Sequence, residues 1–514
     1  MTKRPRSSPD ERSNQPAAAY PPWLMLEQIC EKEVQGCSSS IADGKTVASA
    51  STSCGVPISV SLCLASPPEG SRVCVQRPAD VALNHAYVLA AHRDSVLVQL
   101  AGIHYCMTDH FVYNTGDAAA DPSWPPSLSL LTHNGLRRSG EESRWSGCGY
   151  LNQRDTGLLR RGEVEFVVAE LNMEGVGHDP QAPKAAAELL LLRSAAAGEW
   201  IAKRPPMSHY DRKDGELPAS WVNQTVIPFG DRLCWVDLNH GLMFADVFNE
   251  NPGLRYVPLP VDPCITKPSE RNVCVTDGGS TIKLVDICPR YFCQGAGRAY
   301  CQRSHHAYTV RTWTLRMHDM AWVMDCSIES TELWCLDGYK GIPRVKLDCP
   351  AVSIDDPHVI CFVVCEGLHS QSGDWTLWRI MVDMRSKTLR SAFHYPEGRK
   401  WYTSHQQIIP SKASGYFNSK PSSGSKMRPS QAQTVLGDIG SERHAEIMLR
   451  TSNIITHHGR PECKWSSNTP MKAASLEKIL AALKEIPGLD RDDMLKAYRS
   501  LQSSFGSPNG FEEG

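Results

Sequence analysis

Three cysteines and a histidine in one short stretch, "CPRYFCQGAGRAYCQRSHH" (288–306), are the residues whose types best suit chemistry. Sulfur and imidazole ligands from Cys288, Cys293, Cys301 and His305 (or His306) could hold a zinc ion tetrahedrally. No pair has the C-x2-C spacing of a zinc knuckle, and a single loop would have to supply all four ligands. The glycines and arginines suit an exposed loop between two strands equally well. We therefore prefer a plain loop and keep a zinc-binding module as an alternative.

A second stretch, "SSIADGKTVAS" (39–49), resembles a phosphate-binding loop because it contains Gly44-Lys45-Thr46. Position 39 is a serine, where the phosphate cradle needs a glycine, and no apolar strand precedes it. We interpret this match as a chance one.

The remaining candidates for acid–base or nucleophilic chemistry are dispersed. Acid–base catalysis would need two carboxylates to converge, whereas single carboxylates at strand ends usually hydrogen-bond in turns. We find no G-x-S-x-G elbow, no H-E-x-x-H and no G-x-G-x-x-G after a strand. The residues considered are the carboxylates Asp237, Asp246, Asp277 and Asp286, and the histidines His85, His92, His104, His110 and His133. We expect the histidines to be turn or surface residues, and we predict no catalytic, cofactor-binding or metal-ligating residue and no cofactor.

The elements that would position these residues are short strands. From about Trp23 to about Tyr395, apolar runs of strand length alternate with turn-forming stretches, and a helical period is almost absent. Examples are "ISVSLCLA" (58–65), "SVLVQLAG" (95–102) and "HVICFVV" (358–364). We count roughly two dozen candidate strands. Long crossover helices are missing, which argues against a parallel sheet.

The clearest local unit is "LCWVDLNHGLMFADVFNENPGLRYVPLP" (233–260). Leu233–Asp237, Leu242–Val247 and Leu254–Leu259 are predicted to form three strands of an antiparallel meander. The turns between them contain Asn and Gly, which tolerate left-handed backbone. In this reading Asp237 closes its strand into the first turn.

Strand starts of the same pattern recur at residues 232, 271, 308 and 357, at the spacing of roughly 40–50 residues expected for one four-stranded propeller blade. We therefore predict a mainly β protein, an antiparallel β-propeller of about six blades, with paired β-sandwiches as the alternative. Six tryptophans in these strands are expected to fill the core between blades: Trp235, Trp313, Trp322, Trp334, Trp375 and Trp378.

The two ends of the chain differ from this body in composition. We expect a helical hairpin in "ASLEKILAALKEIPGLDRDDMLKAYRSLQ" that packs on the body or its own linker, with a partner-binding helix pair as the alternative. The predicted organisation is a disordered tail at 1–20, the propeller-like body at 21–402, a mostly disordered Ser/Pro-rich linker at 403–470, the helical hairpin at 471–503 and a disordered tail at 504–514.

The composition of the 514 residues is that of an ordinary soluble protein, with 41% hydrophobic and 21% charged residues. A net charge of −2 gives no global nucleic-acid footprint, and no apolar run approaches the ~20 residues of a membrane span. Without a signal peptide, the 19 cysteines are expected to be reduced. We predict an intracellular protein, cytoplasmic, nuclear or both, since "KRPR" near the start could be a nuclear-import signal.

Many separate segments resemble one plant family. "PPWLMLEQ", "VLAAHRDSVLVQL" and "GLLRRGEVEFVVAEL" are similar to its N-terminal half, and "CWVDLNHGLMFADVFNENPGLRYVPLP", "TWTLRMHDMAWVMDC" and "PRVKLDCPAVSIDDPHVICFVV" to its C-terminal half. The family is domain of unknown function 1618, which is especially numerous in grasses, and the resemblance covers about residues 20–400. It implies no established activity and no catalytic residues.

A more distant similarity is to F-box-associated propeller domains, carried by Trp313-Thr-Leu315 and Trp322. Only ~20 residues precede the body, which we take to leave no room for an F-box itself. We expect a non-enzymatic scaffold whose rim loops bind a protein partner, with no membrane or nucleic-acid partner. The alternative from another class is a carboxylate-dependent hydrolase or sugar-processing enzyme in the propeller channel.

Overall fold

The protein is described here by a computed structural model. It describes residues 20–34, 43–102, 108–116, 124–131, 150–162, 165–174, 186–194, 199–209, 221–261, 268–289, 307–366, 376–396 and 408–417. The predicted helical hairpin, both predicted tails except Tyr20, and most of the predicted linker lie outside these residues.

The described residues contain 27 strands, arranged as six sheets of four or five strands and one two-stranded sheet. Each large sheet is one blade, and the blades follow one another along the chain. Their strands are β2 (Glu31–Val34), β3 (Ala48–Ser51), β4 (Pro57–Cys63) and β5 (Arg72–Arg77) in blade 1; β6 (His85–His92), β7 (Ser95–Ala101), β8 (Thr108–Asn114) and β9 (Ser127–Leu131) in blade 2; β10 (Thr156–Arg161), β11 (Glu165–Glu174), β12 (Ala186–Arg193) and β13 (Trp200–Lys203) in blade 3; β14 (Met207–His209), β15 (Thr225–Phe229), β16 (Arg232–Asp237), β17 (Gly241–Ala245) and β18 (Leu254–Pro258) in blade 4; β19 (Arg271–Thr276), β20 (Thr281–Pro289), β21 (Tyr308–Arg316) and β22 (Ala321–Glu329) in blade 5; and β23 (Leu347–Val352), β24 (Val359–Glu366), β25 (Thr376–Asp383) and β26 (Thr388–His394) in blade 6.

Within a blade the strands form an antiparallel meander, with two exceptions. In blade 1, β2 joins parallel to β5, and in blade 4, β14 joins parallel to β18 as a fifth strand. One short α-helix, α1 (Ser330–Leu333), lies between blades 5 and 6 in the described part of the chain. No helix among the described residues is long and apolar enough to cross a membrane.

The predicted meander at 233–259 is confirmed, with β16, β17 and β18 in antiparallel register. Trp235 is fully buried, and its indole N–H donates to the carbonyl of Asp155 in blade 3 at 2.7 Å. The tryptophan therefore fills the space between two blades, as the sequence predicted. At the turn after β16 only a glycine fits at position 241, because a Cβ atom there would lie 2.5 Å from the carbonyl oxygen of Val257.

Hydrophobic clusters join each blade to the next because alternate side chains of a strand point to opposite faces of its sheet. In β7, Val96 and Val98 pack toward blade 1, whereas Leu97 packs toward blade 3. The interfaces are represented by Val60 and Val98 (blades 1 and 2), Leu97 and Leu158 (2 and 3), Leu191 and Trp235 (3 and 4), Phe244 and Leu284 (4 and 5), and Val310 and Phe362 (5 and 6). Trp313 and Trp322 lie in the fourth interface, and Trp334 and Trp378 in the fifth.

The ring is closed by the two-stranded sheet, which we call the clasp: β1 (Leu24–Leu26) paired with β27 (Ile409–Ser411). Leu24 and Leu26 pack into the core of blades 1 and 2, while Met25 packs on Cys361 of blade 6. Six blades closed in this way form a β-propeller, and not a pair of sandwiches. The sequence placed residues 409–411 in the linker because a three-residue strand carries no hydrophobic period.

Candidate functional site

The first strand of four blades (β6, β10, β19 and β23) and β15 of blade 4 line the centre of the ring, where each contacts the next. The inner position before blade 2 is held by β27, which contacts β6. The backbone N–H of Arg160 donates to Nδ1 of His92 at 2.9 Å, and Thr276 Oγ1 donates to the Ser353 carbonyl at 2.5 Å. These bonds join strand ends to strand ends, so neighbouring inner strands run in the same direction.

The inner strands enclose a channel with a cavity volume of about 900 Å³. We call the end at which the inner strands begin the N-mouth, which includes Lys32, Asn84, His85 and Arg154. The opposite end, the C-mouth, includes His92, Arg93, Gly278 and Lys412.

The channel lining carries five basic side chains and, among the described residues, no carboxylate. Its basic residues are Lys32, Arg93, Arg154, Arg271 and Lys412, and the described residues that line it include no Asp or Glu. Apolar side chains such as Ile29, Val226, Val273 and Ile408 lie among them. Low-dielectric walls around charges of one sign focus the electrostatic potential, so an anion is favoured in this channel.

The five cations differ in whether the protein supplies an acceptor. Arg271 is buried and donates to Asp286 at 2.8 Å and to the Leu238 carbonyl at 2.7 Å. Lys412 pairs with Asp355 at 3.0 Å, outside the lining, and Lys32 donates to the Asn84 carbonyl at 2.8 Å.

In contrast, the exposed guanidinium groups of Arg93 and Arg154 have no acceptor among the residues that the structure describes. One of them lies at each mouth. Arg93 also has a left-handed backbone, with φ of 54°, in the two-residue turn between β6 and β7. Asn or Gly is the usual residue at such a position, and a bulky one costs of order 1 kcal/mol.

His92 contributes a hydrogen-bond donor to the C-mouth and no charge. Burial, assisted by the nearby Arg93 and Arg160, lowers its pKa to about 4. Because Nδ1 accepts from the Arg160 amide, the proton of the neutral ring is on Nε2.

Three thiols also line the channel, those of Cys30, Cys274 and Cys349. Burial raises the pKa of Cys274 to about 11 and raises the pKa values of Cys30 and Cys349 further. These thiols are protonated at neutral pH, and a protonated thiol is a poor nucleophile.

The structure places none of the four carboxylates considered in the sequence in the channel lining. Three of them serve turns: Asp237 accepts from the Asn239 amide, Asp246 from the Phe248 amide and Asp277 from the Ser280 hydroxyl. Asp286 departs from the expected turn role because it lies within β20 and pairs with Arg271. The described lining residues therefore offer no pair of carboxylates for the hydrolase that was the enzymatic alternative.

Two of the five histidines fit the expected turn or surface role, because His85 is exposed at the start of β6 and His92 ends β6 at the turn to β7. Both also line the channel. His110 is not a surface residue, because it is buried in β8 with Nε2 at 2.6 Å from Gln99 Oε1. The blades that flank β8 explain this difference, since the sequence period does not reveal them. His104 and His133 lie outside the described residues.

The structure describes the Gly-Lys-Thr tripeptide, and the cysteine-rich stretch only at its first residues. Thr46 of the Gly-Lys-Thr stretch is buried, and its hydroxyl donates to the Asp43 carbonyl and accepts from the Leu62 amide, so it is occupied by the fold. Of the four candidate zinc ligands considered in the sequence only Cys288 is described, and its thiol donates to Asp286 at 2.9 Å. Cys293, Cys301 and His305 lie outside the described residues.

Sequence reasoning missed the channel cations because they come from five separate segments of the chain. The only local signal was the turn "HRDS" (92–95), which places a basic residue where Asn or Gly is usual.

A search of curated proteins gives no significant match. Among solved structures, the chain is similar to the WD40 domain of SCAP from fission yeast (9% identity, 66% of this chain and 72% of that chain, TM-score 0.26). It is also similar to the β-propeller domain of Swd1 from Myceliophteria thermophila (9% identity, 70% and 90%, TM-score 0.31) and to the endosialidase of phage phi92 (6% identity, 82% and 76%, TM-score 0.32). At these scores the fold assignment depends on the strand order and core clusters described above.

The sequence itself matches one family profile. Residues 235–361, from Trp235 in blade 4 to Cys361 in blade 6, match the family described as "Protein of unknown function (DUF1618)". This stretch contains the second half of β16, all of β17 and β18, and the four strands of blade 5. The resemblance to the DUF1618 family that the sequence predicted is therefore confirmed for residues 235–361.

Proposed function

We propose that the protein is a non-enzymatic scaffold that binds an acidic segment of a partner protein in its central channel. The observation that carries this proposal is the pair of guanidinium groups, Arg93 and Arg154, at the two mouths of a channel whose described lining has no carboxylate. A carboxylate can accept two parallel hydrogen bonds from one guanidinium, and such charge-assisted bonds are the strong ones.

The composition of the channel supports a peptide as the ligand. Apolar side chains between the two basic mouths, among them Ile29 and Val273, can contact the aliphatic parts of a chain whose acidic side chains reach Arg93 and Arg154. Backbone and side-chain polar groups at the N-mouth, such as Asn84 and Gln153, offer hydrogen bonds to a peptide backbone.

An enzymatic role is less well supported by the same lining. The described channel residues offer protonated thiols and a neutral His92 whose Nδ1 is already bonded, and no carboxylate pair. General acid–base catalysis needs a titrating group near the working pH with a partner or nucleophile in reach.

The first experiment measures binding of the full chain to an array of equal-length peptides that differ in Glu and Asp content. The tightest peptides are then titrated in solution by fluorescence anisotropy. We expect affinity to rise with acidic content and to fall with added salt, since exposed charges are screened within about 10 Å at 0.1 M salt.

The variant Arg93→Ala/Arg154→Ala tests whether the mouths are responsible. One lost charge-assisted bond is worth about 1.5–3 kcal/mol, so affinity should fall by about tenfold or more. The control is Lys340→Ala/Arg385→Ala, which removes two exposed cations outside the channel lining. Equal losses in both variants, or no preference for acidic peptides in the wild type, would refute the proposal. Stronger binding of an RNA of equal charge would instead assign the channel to nucleic acid.

A further inference from the structure

A β-bulge in blade 5 places two potential ligands side by side. In the pairing of β21 with β22, Thr312 faces Cys326 and Trp313 faces Met324, which leaves Asp325 as the extra residue. A bulge bends its strand and re-aims the side chains at that point. Asp325 and Cys326, which a regular strand would point to opposite faces, therefore both lie near the same histidine.

That histidine, His358, lies in the turn just before β24 of blade 6. One oxygen of Asp325, the sulfur of Cys326 and one ring nitrogen of His358 all lie within 4.8 Å of one another. The backbone of His358 is held by its own amide, which donates to Asp356 at 2.9 Å, and by its carbonyl, which accepts from Met384 at 2.8 Å.

The ring of His358 has an unused ligand atom. Its Nδ1 is buried and has no hydrogen-bond partner among the described residues. A buried polar atom without a partner is unfavourable, and a bound cation would supply the partner that Nδ1 lacks.

The carboxylate of Asp325 is already oriented by neighbours. Its Oδ2 accepts from Thr314 Oγ1 at 3.1 Å and pairs with the ammonium group of Lys283, which is buried. No bond to Oδ1 is formed by the described residues, so this oxygen is available. Carboxylates that ligate metals are commonly held by such second hydrogen bonds.

We propose that Asp325, Cys326 and His358 form a zinc site with three protein ligands and a fourth position for water. Zinc accepts this mixture of oxygen, sulfur and nitrogen, and three protein ligands plus water is its usual open arrangement. On binding, the S–H bond of Cys326 breaks, its proton goes to solvent, and the sulfur lone pair bonds to the ion. The carboxylate and thiolate balance the charge of the ion, and Lys283 keeps Oδ2 out of the coordination shell.

Bound zinc would join the outer strand of blade 5 to blade 6. To reach bond lengths of about 2.0–2.3 Å, each of the three ligand atoms would move toward a central ion by less than about 1 Å.

A second cluster, Glu31, Glu33 and Cys74, does not support the same proposal, because Arg72 pairs with Glu31 and Gln76 donates to Glu33.

The experiment uses the full chain, treated with a chelator and then titrated with Zn²⁺ alone by calorimetry, with metal content measured after desalting. We expect one saturable site that is weakened at least tenfold in His358→Ala and in Cys326→Ser. Replacement of Zn²⁺ by Co²⁺ should give a thiolate-to-cobalt absorption band that Cys326→Ser removes.

Controls separate this site from others. Cys335→Ser removes an exposed thiol elsewhere and should leave Zn²⁺ binding unchanged. Cys293→Ser/Cys301→Ser tests the loop predicted from the sequence and should also leave it unchanged. If His358→Ala does not fold, as judged by near-ultraviolet circular dichroism, His358→Gln, which leaves a smaller cavity, replaces it. The proposal is overturned if the wild type binds no Zn²⁺, if binding survives Cys326→Ser, or if only the loop variant loses the metal.

Discussion

The buried cations of blade 5 and the two arginines at the channel mouths differ in whether the fold supplies a counter-charge. Arg271 and Asp286 are 2.8 Å apart with side chains 2% and 1% exposed, and Lys283 is paired with Asp325 with 1% of its side chain exposed. Arg93 and Arg154 are exposed and have no such partner in the described part of the chain. A buried charge without a partner is strongly destabilising, whereas an exposed one costs little. Pairing in the blade therefore serves stability, while the mouth arginines are free to serve a ligand.

The largest effect is expected when a blade pair is broken. Arg271→Met leaves Asp286 buried without its counter-charge, so the free energy of unfolding should fall by about 3–5 kcal/mol. Denaturant unfolding at pH 7 measures this, and Arg271→Met/Asp286→Asn should recover part of the loss. A loss below about 1 kcal/mol would show that Arg271 behaves like the mouth arginines.

His92 gives the next effect, as a pH dependence at the C-mouth. Its pKa in the folded protein is about 4, below the value of about 6.5 for an unperturbed histidine, so folding favours the neutral ring. The contribution of the neutral His92 ring to the free energy of unfolding is fully present above pH 6.5 and is lost as the pH falls toward 4. We expect a contribution of about 1–3 kcal/mol.

His92→Asn keeps an acceptor for the Arg160 amide and cannot titrate. Its free energy of unfolding should change less than that of the wild type between pH 7 and 4.5. Parallel pH curves for the two proteins would contradict the assignment.

A pair at the edge of blade 6 is intermediate between the buried and the exposed cations. Burial raises the pKa of Asp383, but the amides of Ser386 and Arg385 and the guanidinium of Arg390 outweigh it and lower the pKa to about 2. A lowered carboxyl pKa stabilises the protein above pH 4, and this is lost as the pH falls toward 2. Asp383→Asn should lower the free energy of unfolding by about 1–2 kcal/mol at pH 7. If Asp383 titrates as described, the difference disappears near pH 2.

The smallest effect is expected at the mouths. Arg93→Gln and Arg154→Gln should each change the free energy of unfolding by less than about 0.5 kcal/mol, because neither side chain has a partner to lose among the described residues. Thermal and denaturant unfolding beside the Arg271→Met variant provide the direct comparison. A loss above 1 kcal/mol in either would mean that the arginine supports the fold, and the binding proposal would lose its basis.

The strands were predictable because hydrophobic alternation is local. The meander around Trp235 was identified within two residues at its strand ends, and the blade count followed from roughly two dozen predicted strands at four per blade. The two parallel additions were not predictable, since β2 reads "EKEV" and β14 reads "MSH", neither of which has an apolar face.

The candidate site was not predictable from the sequence for a related reason. Arg93 and Arg154 are isolated basic residues in separate turns, and only ring closure brings them to one channel. The bulge at Asp325 is likewise invisible in the sequence, because it depends on how β22 pairs with β21. Residues that meet only through tertiary structure leave no spacing to recognise.

The clasp has a consequence for how the chain folds. Leu24 pairs with Ser411, 387 positions later in the sequence, so this contact has one of the largest loop-closure costs in the molecule. During synthesis, neighbouring blades can pack in order as they emerge, but the ring stays open until residues 409–411 are available. Until then Met25 and Cys361 have no cover from each other, so the open ring exposes apolar surface at both ends. Closure is therefore the step that covers this apolar surface.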